Sequence, residues 1–154
     1  MLFTLEFIIF EHRRADSSAF PYLSMQTGNS YVIQYDDEIE AVYLEWLHPP
    51  DLQAFMTAHF DGLYLLQEHN LHKWLENRQR LHDLSPECHM WAKDVWMGRA
   101  VKAGIKYVAI TLSQLPLSRV SIEQISEMLE MNVVTDYFDE LVDARKWLMH
   151  PYGE

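Results

Sequence analysis

The segment SYVIQYDDEIEAVYLEW, residues 30–46, decides the class of fold that the sequence predicts. Residues 30–35 and 41–46 are rich in β-branched and aromatic side chains, and the polar stretch 36–40 separates them. Two such runs joined by a short polar turn are typical of an antiparallel β-hairpin. We therefore expect the folded part of the chain to start with two paired strands.

Strands and helices alternate after this hairpin. Apolar residues recur at helical spacing over 49–69, and a short strand is predicted at 73–77. Ser85 is a favourable N-cap for a second helix, and Gly104 is a suitable left-handed end for it. The nearly continuous apolar run at 107–112 is typical of a strand covered on both faces.

The last third of the chain continues the alternation. Its pattern predicts a helix over 120–131, a strand over 133–138 and a final helix that Asp139 caps. Alternating strands and helices require parallel crossovers, which are normally right-handed. The predicted fold is thus an α/β sandwich, in which a mixed sheet of hairpin and crossover strands is packed by about four helices.

The length of 154 residues and the mass of 18.3 kDa fit one compact domain. Residues 30–150 carry the alternating pattern and are expected to form that domain. Residues 1–29 are predicted to be an N-terminal extension and linker, which either adds an edge strand or is poorly ordered. Self-association as a homodimer is a further expectation, because the hairpin or an N-terminal strand can leave an unpaired sheet edge.

The charge of the chain bears on its partners. The formal net charge is -11, and such a surface repels phosphate backbones, so nucleic acid is not an expected partner. Residues 1–10 are apolar, but Glu6 interrupts them and no basic segment precedes them, so neither a signal peptide nor integral membrane contact is expected. Cys88 is the single cysteine, which suits a cytoplasmic location.

A set of aromatic and glycine positions over residues 30–148 resembles small bacterial STAS-like proteins. It includes a tryptophan ending the second strand, the short KWLEN strand at 73–77, a glycine before an aromatic-containing strand and a tryptophan near the C-terminus. The residues that carry this resemblance are Glu45, Trp46, Trp91, Trp96, Gly104, Tyr107, Val108, Ala109, Ala144, Trp147 and Leu148.

This resemblance implies a fold shared in outline by anti-sigma-factor antagonists and, more distantly, by CRAL-TRIO lipid-binding domains. Anti-sigma-factor antagonists dock to a partner kinase and are switched by phosphorylation of a serine at a helix start. Ser85 is the nearest positional analogue of that serine here, although residues 78–84 replace the short turn found in the family. As a residue of this sequence alone, Ser85 is better explained as a helix cap.

Motifs for catalysis are lacking in the sequence. It contains no GxSxG, no glycine-rich phosphate loop and no Rossmann fingerprint, so neither an enzyme nor a cofactor is predicted. A metal-dependent enzyme is an alternative. It would use the His-rich stretch from His69 to His89, which includes Cys88. No CxxC or HExxH spacing supports a metal site there, and none is predicted.

The surplus of aromatic residues suggests a binding function. Trp91 and Trp96 on the second helix are candidates to line a ligand site, together with Phe60 and Tyr64 on the first. We therefore expect a non-enzymatic regulatory or binding module that recognises a protein partner or a small apolar ligand. A carrier of lipids or other hydrophobic ligands is the alternative.

Overall fold

The computed structural model describes residues 24–25, 30–81, 84–112 and 132–151. The strands are β1 (Ser24–Met25), β2 (Tyr31–Asp36), β3 (Ala41–Trp46), β4 (Lys73–Arg78), β5 (Tyr107–Leu112) and β6 (Val134–Phe138). The helices are α1 (Leu52–Glu68), α2 (Pro86–Trp91), α3 (Met97–Ala103) and α4 (Leu141–Met149). A π-helical turn, Ala92–Trp96, joins α2 to α3, so that these segments form one continuous helical rod, α2–α3.

The strands form one mixed sheet in the order β1-β2-β3-β4-β5-β6. β1, β2 and β3 pair in antiparallel fashion, while β3, β4, β5 and β6 are parallel neighbours. The α/β class, the hairpin and the mixed sheet are therefore confirmed. The short β1 lies within residues 1–29, where the sequence predicted an extension.

The turn of the hairpin is closed by Asp36, one residue later than the first strand was expected to end. Its Oδ1 accepts hydrogen bonds from the backbone N–H groups of Glu38 at 3.1 Å and of Ile39 at 3.4 Å. Arg145 of α4 donates to the carboxylates of Asp36 and Glu38. These bonds attach the last helix to the first turn of the sheet.

Both helical units that follow β3 and β4 begin with a side-chain cap. Asp51 Oδ1 accepts from the N–H of Ala54 at 2.7 Å, so α1 begins after the two prolines rather than at them. Ser85 Oγ accepts from the N–H of Cys88 at 3.3 Å. Gly104 ends the α2–α3 rod with a φ of 102°, as the sequence predicted.

The two faces of the sheet bury different clusters, because successive side chains of a strand point to opposite sides. The α1 face lies under α1 and α2–α3 and holds the larger cluster, with residues such as Leu44, Trp74 and Ile110. The α4 face lies under α4 and includes Leu75 and Leu148.

Packing is closest where α1 crosses β4. A Cβ atom added to Gly62 would lie 2.2 Å from Cη2 of Trp74, well inside van der Waals contact. The indole therefore lies directly on the helix backbone, and only glycine allows this approach.

Two details at the C-terminal end differ from the sequence prediction. Glu140, not Asp139, occupies the N-cap position of α4, and it makes no side-chain capping bond. The predicted helix over 120–131 lies outside the described residues, so the predicted number of helices is not established. Among the helices described, none is long and apolar enough to span a bilayer.

Candidate functional site

The carboxyl-terminal half of β4 places two charged side chains inside the protein. Trp74, Glu76 and Arg78 alternate along the strand and lie on the α1 face, where Glu76 and Arg78 are both buried. Charged side chains are rarely buried unless they are paired, so each of them needs partners.

Glu76 accepts hydrogen bonds from several directions. Its Oε1 accepts from the indole Nε1 of Trp46 at 2.9 Å and from Nε of Arg78 at 2.7 Å. Its Oε2 accepts from Nε1 of Trp74 at 3.4 Å. Burial would raise the pKa of Glu76, but the positive charge of Arg78 and the contact with His59 outweigh burial and hold the pKa far below its usual range. Glu76 is therefore a carboxylate inside the core.

His59 of α1 lies against this carboxylate. Its Nδ1 is 2.8 Å from the carbonyl oxygen of Phe55, which can only accept, so Nδ1 carries a proton. Its Nε2 is 3.6 Å from Oε2 of Glu76.

Five aromatic rings surround the His59 imidazole. The ring centroid of Phe55 is 4.1 Å away, that of Trp96 is 5.0 Å away and that of Trp74 is 5.7 Å away. Those of Trp91 and Trp46 follow at 5.9 and 6.1 Å. The imidazole is therefore buried inside an aromatic cage.

The π-helical turn explains how Trp91 and Trp96 both reach His59. In an α-helix each residue advances about 100°, so residues five apart point about 140° away from each other. A π-turn closes its hydrogen bonds over five residues and brings such residues back to one side. Trp91 and Trp96 therefore both face α1.

Only part of the Arg78 guanidinium donates hydrogen bonds to described residues. Nε donates to Glu76, whereas the buried Nη1 has no acceptor among the described residues. The buried indole Nε1 of Trp96 likewise has no acceptor among them. Two buried donors of this cluster thus remain without an acceptor in the part of the chain that the structure describes.

Arg78 ends β4, and α1 and α2 follow the neighbouring parallel strands β3 and β4. Burial raises the pKa of the Cys88 thiol; the Ser85 hydroxyl and the Arg78 charge counteract burial, while Asp51 reinforces it. The end of β4 and the beginnings of α1 and α2 therefore meet at one edge of the sheet. Ligands of α/β proteins commonly bind at this carboxyl edge of parallel strands.

The outer surface of α1 and α2–α3 carries a group of exposed and half-buried apolar side chains. Phe60 and Trp91 are half-buried and meet edge to face, with ring centroids 5.3 Å apart. The guanidinium carbon of Arg99 lies 5.1 Å from the centroid of Phe60. Tyr64, one turn after Phe60, is 51% exposed, and Met90 is 62% exposed. We call Phe60, Tyr64, Met90, Trp91 and Arg99 the aromatic surface.

The structure separates the residues that the sequence proposed as ligand-binding. Trp91, Trp96 and Phe60 come together, since Trp91 contacts both Phe60 and the His59 cage. Trp96 lies inside that cage and is buried. Tyr64 lies on the outside and is 51% exposed.

Ser85 is exposed and caps the α2–α3 rod through its hydroxyl. The capping interpretation of this serine is confirmed, and its regulatory role stays a prediction.

On the α4 face, a chain of polar side chains crosses three parallel strands at the same edge. Asn77 Oδ1 accepts from Thr111 Oγ1 at 2.8 Å, and Asn77 Nδ2 donates to the Tyr43 hydroxyl at 3.3 Å. Tyr43 in turn donates to Glu45 at 3.1 Å. Burial raises the pKa of Tyr43 to about 12, so its hydroxyl remains a donor at neutral pH.

The histidines proposed for a metal-dependent enzyme do not come together where the structure describes them. His69 stacks on Tyr35 with centroids 4.2 Å apart, whereas His72 Nδ1 donates to the carbonyl oxygen of Gly104 at 2.7 Å. Among the described residues, no group of three His, Cys, Asp or Glu side chains is placed to hold a metal ion. His82 lies outside the described residues.

Sequence reasoning missed His59, Glu76 and Arg78. The signals were a histidine one turn after Phe55 on the apolar side of α1, and charges at alternate positions of a strand that Trp74 marks as buried. Neither signal identifies the partner, because the bonds join residues distant in sequence.

Comparison of the chain with protein-family models, curated proteins and solved structures gives no significant match.

Proposed function

We propose that the chain is a non-enzymatic binding module of STAS-like architecture, which recognises a protein partner through the aromatic surface. The hairpin followed by parallel β-α-β units supports the STAS-like part of this assignment. The observation that carries the binding function is the exposure of Tyr64 on α1 and Met90 on α2, the two helices whose half-buried rings Phe60 and Trp91 meet.

The composition of this surface matches that of protein interfaces. Tryptophan, tyrosine and arginine dominate the binding energy of interfaces, and methionine is enriched there. Trp91 and Arg99 already contact neighbouring rings, so they would lose little conformational entropy on binding.

A protein partner fits these contacts better than an enclosed apolar ligand. The space behind the aromatic surface is filled by His59 and the rings that pack on it, among them Phe55 and Trp96. A carrier of lipids would need an apolar cavity in that position. The exposed groups, by contrast, are accessible without any rearrangement.

The charge of the chain indicates the chemistry of the partner. With a net charge of -11, the chain attracts a basic protein and repels an acidic one over a distance of several ångströms. The partner is therefore a basic protein with an apolar contact patch, and its association rate falls as salt is added.

The test compares proteins captured from a lysate by three forms of the chain. The Tyr64→Ser/Met90→Ser double variant alters the aromatic surface, and Val142→Ser is the matched control, because Val142 is equally solvent-exposed on α4. We expect one basic protein to bind the wild type and Val142→Ser alike and to bind the double variant at least about tenfold more weakly, equivalent to about 1.4 kcal/mol.

The captured protein is then purified and its affinity for the three forms is measured at low and high salt. Equal affinity for all three forms, or the absence of any protein whose capture depends on Tyr64 and Met90, would overturn the assignment.

A further inference from the structure

Asp61 of α1 lies next to the aromatic surface, because residues three apart on a helix are neighbours and Tyr64 is three residues further on. At about 100° per residue, Tyr64 points between the directions of Phe60 and Asp61. Phe60 faces the α2–α3 rod, where it meets Trp91. Asp61 faces β2, where it bonds Tyr31. Asp61 therefore forms the flank of the aromatic surface on the β2 side.

The carboxylate of Asp61 has few stabilising contacts inside the free chain. It is half-buried, and burial raises its pKa to about 6. Its Oδ2 accepts from the Tyr31 hydroxyl at 3.3 Å, which is long for a bond between two oxygen atoms. No cation among the described residues pairs with it, whereas the buried carboxylate of Glu76 pairs with Arg78. Asp61 therefore lacks the counter-charge that a carboxylate removed from water normally has.

The second oxygen of this carboxylate is accessible from outside the protein. Oδ1 of Asp61 accepts no hydrogen bond from a described residue, and it is not one of the fully enclosed polar atoms of the described structure. A half-buried carboxylate without a cation costs free energy in the free chain, and a cation from another molecule would remove that cost. Groups that destabilise a protein on its own are commonly retained for function.

The other flank of the aromatic surface carries the opposite charge. Arg99 of α3 is exposed, and its guanidinium carbon lies 5.1 Å from the ring centroid of Phe60. A cation of the partner is therefore repelled on the Arg99 side and attracted on the Asp61 side. A basic partner that covers the aromatic surface thus meets the chain with a positively charged group at Asp61.

We infer that the protein partner binds through an arginine side chain, whose guanidinium donates to Oδ1 of Asp61 and stacks on the ring of Tyr64. Arginine fits this position better than lysine, because its planar guanidinium bonds a carboxylate and stacks on an aromatic ring at the same time. Lysine carries a compact and strongly hydrated charge that forms no such stack. The inference rests on the proposed function, since it specifies how the partner contacts the aromatic surface.

The probe is the basic protein that the wild type captures, purified and titrated against three forms of the full chain. Asp61→Asn removes the charge of the carboxylate and keeps the size of the side chain. Asp143→Asn is the matched control, because Asp143 is exposed on α4 and its substitution changes the net charge by the same amount. We expect the affinity to fall at least about tenfold for Asp61→Asn and to stay within about twofold of the wild type for Asp143→Asn.

A measurement on the wild type covers the case in which Asp61→Asn fails to fold. The carboxyl carbon of Asp61 is followed by NMR as the pH is changed, in the free chain and in the complex. A guanidinium beside a carboxyl lowers its pKa, whereas an apolar cover raises it. We expect the pKa of Asp61 to fall from about 6 in the free chain toward its ordinary value of 3.8 in the complex. A pKa that stays at about 6 or rises would overturn the inference.

Substitutions in the partner distinguish arginine from lysine. The arginines of the partner are replaced by lysine one at a time, and each variant is titrated against the wild type and Asp61→Asn. We expect one arginine whose replacement weakens binding to the wild type at least about fivefold and has no effect on binding to Asp61→Asn, because the two groups form one pair. A partner without such an arginine would contradict the inference.

The same titrations separate this inference from the proposed function. If Asp61→Asn binds as tightly as Asp143→Asn while Tyr64→Ser/Met90→Ser binds weakly, the arginine contact is wrong and the aromatic surface remains the binding site. If no captured protein depends on Tyr64 and Met90, both the proposed function and the arginine contact are wrong.

Discussion

Both faces of the sheet carry polar groups at the carboxyl edge of the parallel strands. The two faces stabilise these groups in opposite ways. On the α4 face, the uncharged side chains of Asn77, Thr111 and Tyr43 form a hydrogen-bonded chain that ends on Glu45. On the α1 face, Glu76 and Arg78 are buried as charges, and one guanidinium nitrogen lacks an acceptor among the described residues.

This difference shows which face is built for stability alone. A hydrogen-bonded network of mainly uncharged side chains fixes the positions of neighbouring strands at little electrostatic cost. A buried charged cluster is expensive, and apolar side chains of similar volume can replace such groups without loss of stability. The α1 face, which also carries the aromatic surface, is therefore where function is expected.

The largest effect should come from neutralising Glu76. Glu76→Gln leaves the buried positive charge of Arg78 without a counter-charge, so we expect a loss of about 3–5 kcal/mol in the free energy of unfolding. Thr111→Val on the α4 face removes one neutral hydrogen bond and should cost about 1 kcal/mol. Urea unfolding at pH 7 measures both. Equal losses would mean that the two networks do not differ in kind.

A smaller effect should come from the close packing on the α1 face. Gly62→Ala places a Cβ atom 2.2 Å from Trp74 and should destabilise the protein by about 1–3 kcal/mol. Gly98→Ala on α3 is the matched control, because a Cβ there meets nothing within 4 Å. It should stabilise by up to about 1 kcal/mol through helix propensity. Thermal unfolding should therefore show opposite shifts in Tm, and shifts of the same sign would contradict the packing of Trp74 on α1.

The smallest effect concerns Asp61, a carboxylate that has no paired cation among the described residues. Burial raises the pKa of Asp61 to about 6, and the hydrogen bond from Tyr31 only partly opposes this. Asp36, by comparison, is paired with Arg145. Because the folded-state pKa of Asp61 lies above the ordinary value of 3.8, its contribution to stability is full below pH 4 and is lost as the pH rises to about 6.

The variant Asp61→Asn lacks this titration. It should therefore be more stable than the wild type by about 1 kcal/mol at pH 7, a value reduced for the partial exposure of Asp61. The difference should disappear below pH 4. Denaturant unfolding of both forms across this pH range measures it, and a constant difference at every pH would contradict the raised pKa.

The strands and helix ends that the sequence predicted depend on local signals. The hairpin follows from alternating β-branched and aromatic runs, and Ser85 and Gly104 mark the ends of a helix through their own backbone chemistry. These signals lie within a few residues of the element that they define, which is why a single sequence was sufficient for them.

The candidate site was predicted only in its aromatic part. Trp91 and Phe60 were recognised by residue type, but the π-turn that aligns Trp91 with Trp96 has no distinct sequence pattern. Glu76 was overlooked because the Trp46 indole that bonds it comes from another strand. Contacts between residues thirty positions apart depend on strand register, which the local pattern does not determine.

The strand order has a consequence for how the protein folds. Each described strand pairs with its neighbour in sequence, so no strand has to insert between two that are already joined. The sheet can therefore grow from its N-terminal hairpin outward as the polypeptide leaves the ribosome. Each parallel step still pairs residues about thirty positions apart, so it costs more loop-closure entropy than the hairpin and should form after it.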